Sequence, residues 1–163
     1  MDTARPPAIR LDDYLPYLVN RIGPPVEDGF GPPLHRAGIT LPMWRVIAVV
    51  LNDGPQRLND LAARISLPAS SASRLVSEMV AEGHLSRVRN DRDGRAVHVD
   101  LTEPGRIIAG GVARAAAQYE DHITRNFTAA ETAELKRLLK KLHGALADAD
   151  AIWDGATEET SHG

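Results

Sequence analysis

Apolar residues recur along this chain with two different periods, and the order of those periods predicts the elements. Leu11, Leu15, Leu18 and Ile22 form one stripe at 4, 3, 4 spacing, as a helix face requires. Asp12 or Asp13 is suited to cap that helix, with Pro16 in its first turn, where a missing N–H removes no internal hydrogen bond. Gly23-Pro24-Pro25 then ends or kinks it. Eight of the sixteen residues from Gly23 to Gly38 are Gly or Pro, so this stretch reads as a linker, or as short helical pieces restarted by prolines. Thr40 caps a second helix through Trp44, Ile47, Ala48 and Leu51, stopped by Asn52-Asp53-Gly54-Pro55.

A short pair of helices follows. Asn59 is placed to cap Asp60 to Ile65, Ser66-Leu67 turns the chain, and Pro68 opens Ala69 to Glu82. Leu75, Met79 and Val80 fall on the inner face of that helix, and Gly83 is its C-cap. Two helices joined by a turn of about three residues make a helix-turn-helix. The period then changes from 3.6 to 2. Leu85 to Arg89 alternates apolar and polar residues, as does Ala96 to Leu101, and between them Asn90 to Arg95 supplies turn formers. The pair is a β-hairpin with a polar, arginine-bearing loop, which is a wing.

Thr102 caps the next helix, with Pro104 in its first turn and Glu103 at the positive end of the helix dipole; it extends to about Asn126. Gly110-Gly111 inside it costs about 1 kcal/mol per glycine relative to alanine, which close backbone packing or a hinge would explain. Thr128 and Glu131 form a capping box for a last helix, whose stripe is Leu135, Leu138, Leu139, Leu142 and Leu146, continuing to Ala149 and Trp153. The elements predict a mainly α (α+β) protein. Residues 1–39 supply a dimerisation helix and a Pro/Gly-rich linker, 40–104 the winged helix-turn-helix, 105–154 C-terminal dimerisation helices, and 155–163 a polar tail.

Composition narrows the chemistry. The chain has 163 residues and no cysteine, which excludes disulfides, thiolate metal sites and thiol redox sensing by this chain. No window approaches eighteen uninterrupted apolar residues, so a cytoplasmic protein without membrane contact is expected. Net charge is −3, but the charges are unevenly spread. From Gln56 to Arg106 eight arginines face seven carboxylates, whereas the rest carries eleven basic and fifteen acidic residues. The middle of the chain is therefore the least repulsive part for a polyanion. Six histidines are scattered without metal-ligand spacing, and there is no phosphate-cradling glycine loop. His98 and Asp100 share one strand face, but two residues do not make a catalytic site. No enzyme activity, cofactor or metal is expected.

The order helix, helix, helix-turn-helix, wing, long helix, long helix resembles the MarR family of bacterial winged-helix regulators. Arg57 to Ala62 is similar to the family's start of the first motif helix, Ser70 to Val76 to its recognition-helix start, and Glu82-Gly83 to that helix's end. Asn90 to Arg95, followed by Val99-Asp100-Leu101-Thr102 and Gly105, is similar to the family's wing and the exit from it. Two departures stand out. His84 occupies a position usually apolar in the family, and the segment from Gly23 to Gly38 is richer in Pro and Gly than the family's long first helix.

A recognition helix needs short polar side chains at its start so that the backbone approaches the major-groove floor; Ser70, Ser71 and Ser73 fit, and Arg74 is placed for a guanine edge or a phosphate. In the wing, arginine suits the negative potential of a narrow minor groove. Arg95 is the first candidate for insertion and Arg92 the next, with Asp93 orienting an arginine and Arg87 and Arg89 nearer the strand for phosphate. The resemblance matches Asp93 and Arg95 to the family's Asp-x-Arg wing pair. It also implies a homodimer on a pseudo-palindromic double-stranded operator, the terminal helices intertwining, and a repressor released by a small aromatic or phenolic acid. For that ligand Arg21 would pair with a carboxylate, and Tyr14, Tyr17, His35 and Trp44 would line an aromatic pocket. The alternative is a winged helix used for protein contacts, which the net negative charge favours.

Overall fold

Thr40 caps the central helix of the structure, its hydroxyl accepting from Met43 N at 3.4 Å. In the computed structural model the backbone is described for residues 9–90 and 93–146, and side chains over the same ranges except 89–97. After a 3-10 turn at Leu11–Asp13 come α1 (Leu15–Arg36), α2 (Leu41–Asp53), β1 (Gln56–Arg57), α3 (Leu58–Arg64) and α4 (Ala69–Ala81). Then follow β2 (Leu85–Asn90), β3 (Asp93–Leu101), α5 (Glu103–Thr124) and α6 (Ala129–Leu146). The strands form one antiparallel sheet in the order β1-β3-β2. The chain divides into two compact units at Tyr119/Glu120.

In the first unit α2 carries the core, with Met43, Val46, Ile47 and Val50 all buried. Around it lie Leu61 and Ala62 of α3, Ala72, Val76 and Met79 of α4, Leu85 of β2, Val99 and Leu101 of β3, and Ala109 and Val112 of α5. On α4, Met79 is buried as the periodicity predicts, whereas Leu75 and Val80 are only partly buried and pack on the rim. No single helix among the described residues is long and apolar enough to cross a membrane. Taken together, α1 and α2 reach that length and apolarity only across a bend of 79°.

The segment expected as a linker is helical. α1 is continuous through Pro24, Pro25, Pro32 and Pro33. Each of those rings removes one donor and crowds the carbonyl four residues earlier, at Asn20, Arg21, Asp28 and Gly29. All four of those residues are exposed, so water can take the place of the missing donors. Tertiary packing supplies the rest. Phe30 and Leu34 are 7% and 4% exposed, and Phe30 stacks on Tyr119 at a centroid distance of 5.8 Å. The Tyr119 hydroxyl donates to Val26 O at 3.0 Å. Gly29 makes room for it, since a Cβ there would overlap the tyrosine ring. The helix ends at Gly38 (φ +68°) in a Schellman turn, Ile39 N donating to Leu34 O and Gly38 N to His35 O.

Other boundaries also moved. Asp12 and Asp13 lie in the 3-10 turn, and the α1 cap is Tyr14, without a side-chain hydrogen bond. Asn59 is inside α3 instead of capping it. β1 pairs Gln56 with Val99 and Arg57 with His98, so Arg57 is held extended until the helix starts at Leu58. The hairpin loop is shorter than expected. Asn90 pairs with Asp93 after a register shift at Arg89/Asn90, so Asp93, Gly94 and Arg95 belong to β3. α5 ends at Thr124, slightly short of Asn126. Among the described residues close packing does not explain Gly110-Gly111: a Cβ on Gly111 meets nothing within 4 Å, and one on Gly110 meets only Arg114 Nη1 at an ordinary 3.8 Å.

The second unit is the end of α5 and α6. The capping box is present, with Thr128 N donating to Glu131 Oε2 at 2.7 Å and Glu131 N to Thr128 Oγ1 at 3.2 Å. These bonds stabilise the charged carboxyl of Glu131 and lower its pKa, the backbone N–H contributing most. No α6 residue is buried, and Leu135, Leu138, Leu139 and Leu146 are exposed. The expected continuation of the stripe to Ala149 and Trp153 lies outside the described residues.

Candidate nucleic-acid interface

The turn into α4 is set by Ser66, the one described non-glycine residue with positive φ (+56°), and by Pro68, whose extended backbone makes it the N-cap. The helix then buries Ala72, Val76 and Met79 at 4, 3 spacing. That leaves Ser70 and Arg74 exposed, one turn apart, with Ser71 and Ser73 half-buried beside them. Arg74 has no ion-pair partner among the described residues. Arg64 and Arg106 are different: they pair with Asp53 at 2.7 Å and Asp100 at 2.9 Å on the same chain.

Sequence reading missed Ser77. Its hydroxyl donates to Ser73 O at 2.9 Å and accepts from Arg87 Nη2 at 2.9 Å. This bond reaches from β2 to the exposed side of α4, and because the acceptor is neutral the guanidinium keeps its full charge. The i, i+4 spacing from Ser73 was the available signal; the cross-element bond to Arg87 was not visible in it. Arg89 lies on β2 opposite Val97, and Asp93 and Arg95 are on β3, but their side chains are outside the described residues, as is all of Arg92.

The wing is fixed to α4 and α5 at one point. α4 ends in a second Schellman turn, with Gly83 at φ +79°, His84 N donating to Met79 O and Gly83 N to Val80 O. The Thr102 hydroxyl donates to Gly83 O at 2.6 Å and accepts from Gly105 N at 3.0 Å, and Thr102 N donates to His84 O. A Cβ at Gly105 would run into the His84 carbonyl. The His84 side chain is 16% exposed, with Nε2 3.4 Å from Glu82 Oε2 and Nδ1 lacking a hydrogen-bond partner.

The residues expected to hold a small ligand are spread along α1 and α2. Trp44 packs against the core with its ring 6.2 Å from that of Phe30, and His35 lines a cleft of about 380 Å³ between α1 and α2. Tyr14, Tyr17 and Arg21 belong to the other end of α1. At 1.5 Å per residue they are roughly 20–30 Å from His35, so one protomer does not bring the five together. Glu27 in the same cleft is paired with Arg45 at 3.1 Å.

Comparison with known proteins bears on this geometry. Residues 37–96, which hold α2 to the wing, match the model of the MarR family. The HTH-type transcriptional regulator BilQ of Clostridioides difficile is 26% identical over 86 residues, covering 53% of this chain but only 56% of that protein. The multiple antibiotic resistance protein MarR of Salmonella typhimurium is 28% identical over 127 residues, covering 77% and 86% of the two chains. A MarR family transcriptional regulator of known structure from Silicibacter pomeroyi aligns with TM-score 0.71 and 26% identity over 85% of this chain and 99% of that one. NadR, solved in complex with 4-hydroxyphenylacetate, shares the fold with TM-score 0.72 at 22% identity, over 83% and 96%. From α2 to the wing the chain is therefore similar to the MarR family, and its fold is that of winged-helix regulators of that family.

Proposed function

We propose that this protein is a dimeric, sequence-specific DNA-binding transcriptional regulator, a repressor released by a small aromatic or phenolic acid, and not an enzyme. The observation that carries the reading is the exposed side of α4, where Arg74 stands without an ion-pair partner among the described residues and Arg87 is held by Ser77. Ser70, Ser71, Ser73 and Arg74 would enter the major groove, with Arg87 and Arg89 on phosphates and the wing residues Arg92, Asp93 and Arg95 at the minor groove. Dimerisation would use residues outside the lobe. Leu15, Val19 and Ile22 on α1 and Leu138 and Leu139 on α6 are exposed apolar side chains at helical spacing, more than a solvated face needs. A second copy would also bring another Tyr14, Tyr17 and Arg21, which the effector pocket lacks within one protomer. The effector reading draws support from NadR, whose solved complex contains 4-hydroxyphenylacetate.

The test is a gel-shift on the DNA upstream of the coding sequence and its neighbours, repeated across salt concentrations and with a panel of aromatic acids. A groove reader loses affinity steeply with salt. Arg95→Ala should weaken binding at least tenfold while leaving the dimer intact. Absence of duplex affinity at low salt would instead favour a winged helix used for protein contacts.

A further inference from the structure

His84 sits where α4, β2 and α5 meet, and its peptide is held on both sides. Its N–H donates to Met79 O, and its carbonyl accepts from Thr102 N. Gly105 lies so close to that carbonyl that a Cβ has no room. Leu85, the next residue, is buried in the core opposite Leu101 of β3. The imidazole shares this confinement. Nε2 lies 3.4 Å from Glu82 Oε2, whereas Nδ1 is buried without a hydrogen-bond partner among the described residues. A proton on Nε2 faces a carboxylate. A proton on Nδ1 is a donor sealed from water and without an acceptor, which is costlier still when the ring is charged. The neutral ring, protonated on Nε2, therefore fits the site as it stands, and the imidazolium fits only after Nδ1 reaches solvent. Nδ1 is the ring nitrogen nearer the backbone, so exposing it moves the turn at 83–85 and strains the bonds to Thr102.

The other ionisable groups on the elements that meet here are Glu78 on α4, Arg87 on β2, His98 and Asp100 on β3, and Glu103 and Arg106 on α5. Arg106 is paired with Asp100, Arg87 is bonded to Ser77, and His98 lies further along the sheet, opposite Val88. Glu82 is the one carboxylate paired with the ring among the described residues. We propose that His84 is a pH-sensitive latch on the wing: its second proton opens the α4–β2–α5 junction, so acidification loosens the hairpin from α4 and reversibly weakens duplex binding. The closed junction is favoured at neutral and alkaline pH and is lost as pH falls through the range, about pH 8 to pH 5, in which histidine takes its second proton. Glu82 opposes the opening, because its charge favours the imidazolium where the ring now lies. It faces the other nitrogen and is half-exposed, so it sets where the response lies and not its direction. The latch rests on the DNA-binding reading only for its effect at a duplex; the junction is tested on the chain alone.

Amide hydrogen exchange on the full chain, corrected for its intrinsic pH dependence, reads the junction, and duplex affinity at constant ionic strength reads the consequence. Between about pH 7.5 and pH 5.5 the protection of the His84 and Thr102 amides falls by about tenfold relative to Val50 in α2, and duplex affinity falls by about fivefold. His84→Leu places an apolar side chain beside the core; it binds duplex at the higher pH within about twofold of the parent and loses both responses. Glu82→Gln alters a half-exposed side chain and moves the response to lower pH, since the ring loses the charge that favours its second proton. This second variant decides the matter where leucine at 84 does not fold. The latch is wrong if protection at His84 and Thr102 does not change with pH, if His84→Leu keeps the response, which would assign it to His98 or another histidine, or if Glu82→Gln moves the response to higher pH or leaves it in place. A His84-dependent loss of protection without duplex affinity at any pH keeps the latch and sinks the regulator. Salt-sensitive duplex affinity with constant protection sinks the latch alone.

Discussion

Arg87 Nη2 donates to Ser77 Oγ at 2.9 Å, so a wing-strand cation is held against the exposed side of α4 by the protein itself. The bond fixes a long side chain whose rotamer freedom would otherwise be lost on binding. Ser77→Ala should lower duplex affinity about two- to fivefold with a stability change within about 0.5 kcal/mol, as for an exposed surface site. Arg87→Ala should weaken binding evenly across sequences and reduce the salt slope by about one. Filter binding at several salt concentrations checks both; a Ser77→Ala chain that binds like the parent would remove the positioning role.

Gly105 is required by the His84 carbonyl it faces. Gly105→Ala should destabilise the protein by about 2 kcal/mol through overpacking against backbone, despite alanine's better helix propensity. A denaturant midpoint equal to that of the parent chain would mean the α4–β2 turn yields easily.

Gly110 and Gly111 lead to the opposite expectation. Replacing either with alanine should stabilise the chain by about 1 kcal/mol, raising the melting temperature by roughly 2–4 °C, since neither new Cβ meets close atoms. If Gly111→Ala melts lower at dilute concentration but not at high concentration, the glycine packs against a second copy.

The capping box of α6 carries a pH dependence. The folded pKa of Glu131 lies below its ordinary 4.5, so its contribution is fully present above that pH and is lost as pH falls through the lowered value. Glu131→Gln keeps an acceptor for Thr128 N but cannot titrate. Its melting temperature between pH 5 and pH 3 should therefore fall less steeply than that of the parent.

Where side-chain period and local turn chemistry decide the structure, the sequence was legible. Thr40, Thr128 with Glu131, and Gly83 all act as their positions predict, because capping depends on neighbours three or four residues away. The misreadings depend on distant partners. Pro24 to Pro33 are helical because Tyr119 and Trp44 pack on Phe30, contacts that no local rule encodes. Arg57 displaces Asn59 as the cap because His98 pairs with it across the sheet. For the candidate interface, position at the start of the motif's second helix and on the first hairpin strand picked out Arg74 and Arg87, whereas Ser77 emerged only once β2 was folded against α4. The wing residues Arg89, Asp93 and Arg95 are placed by backbone register alone.

The four prolines within α1 have one more consequence. A rod missing amides at 24, 25, 32 and 33 lacks the hydrogen-bond continuity by which a helix melts as one body. Its segment from Leu15 to Gly23 can therefore unravel while Phe30 and Leu34 stay anchored, a boundary that hydrogen exchange would register as a step in protection near Pro24. The arm's order thus becomes a local quantity, set by whatever covers Leu15, Val19 and Ile22, and separable from the stability of the lobe to which it is joined.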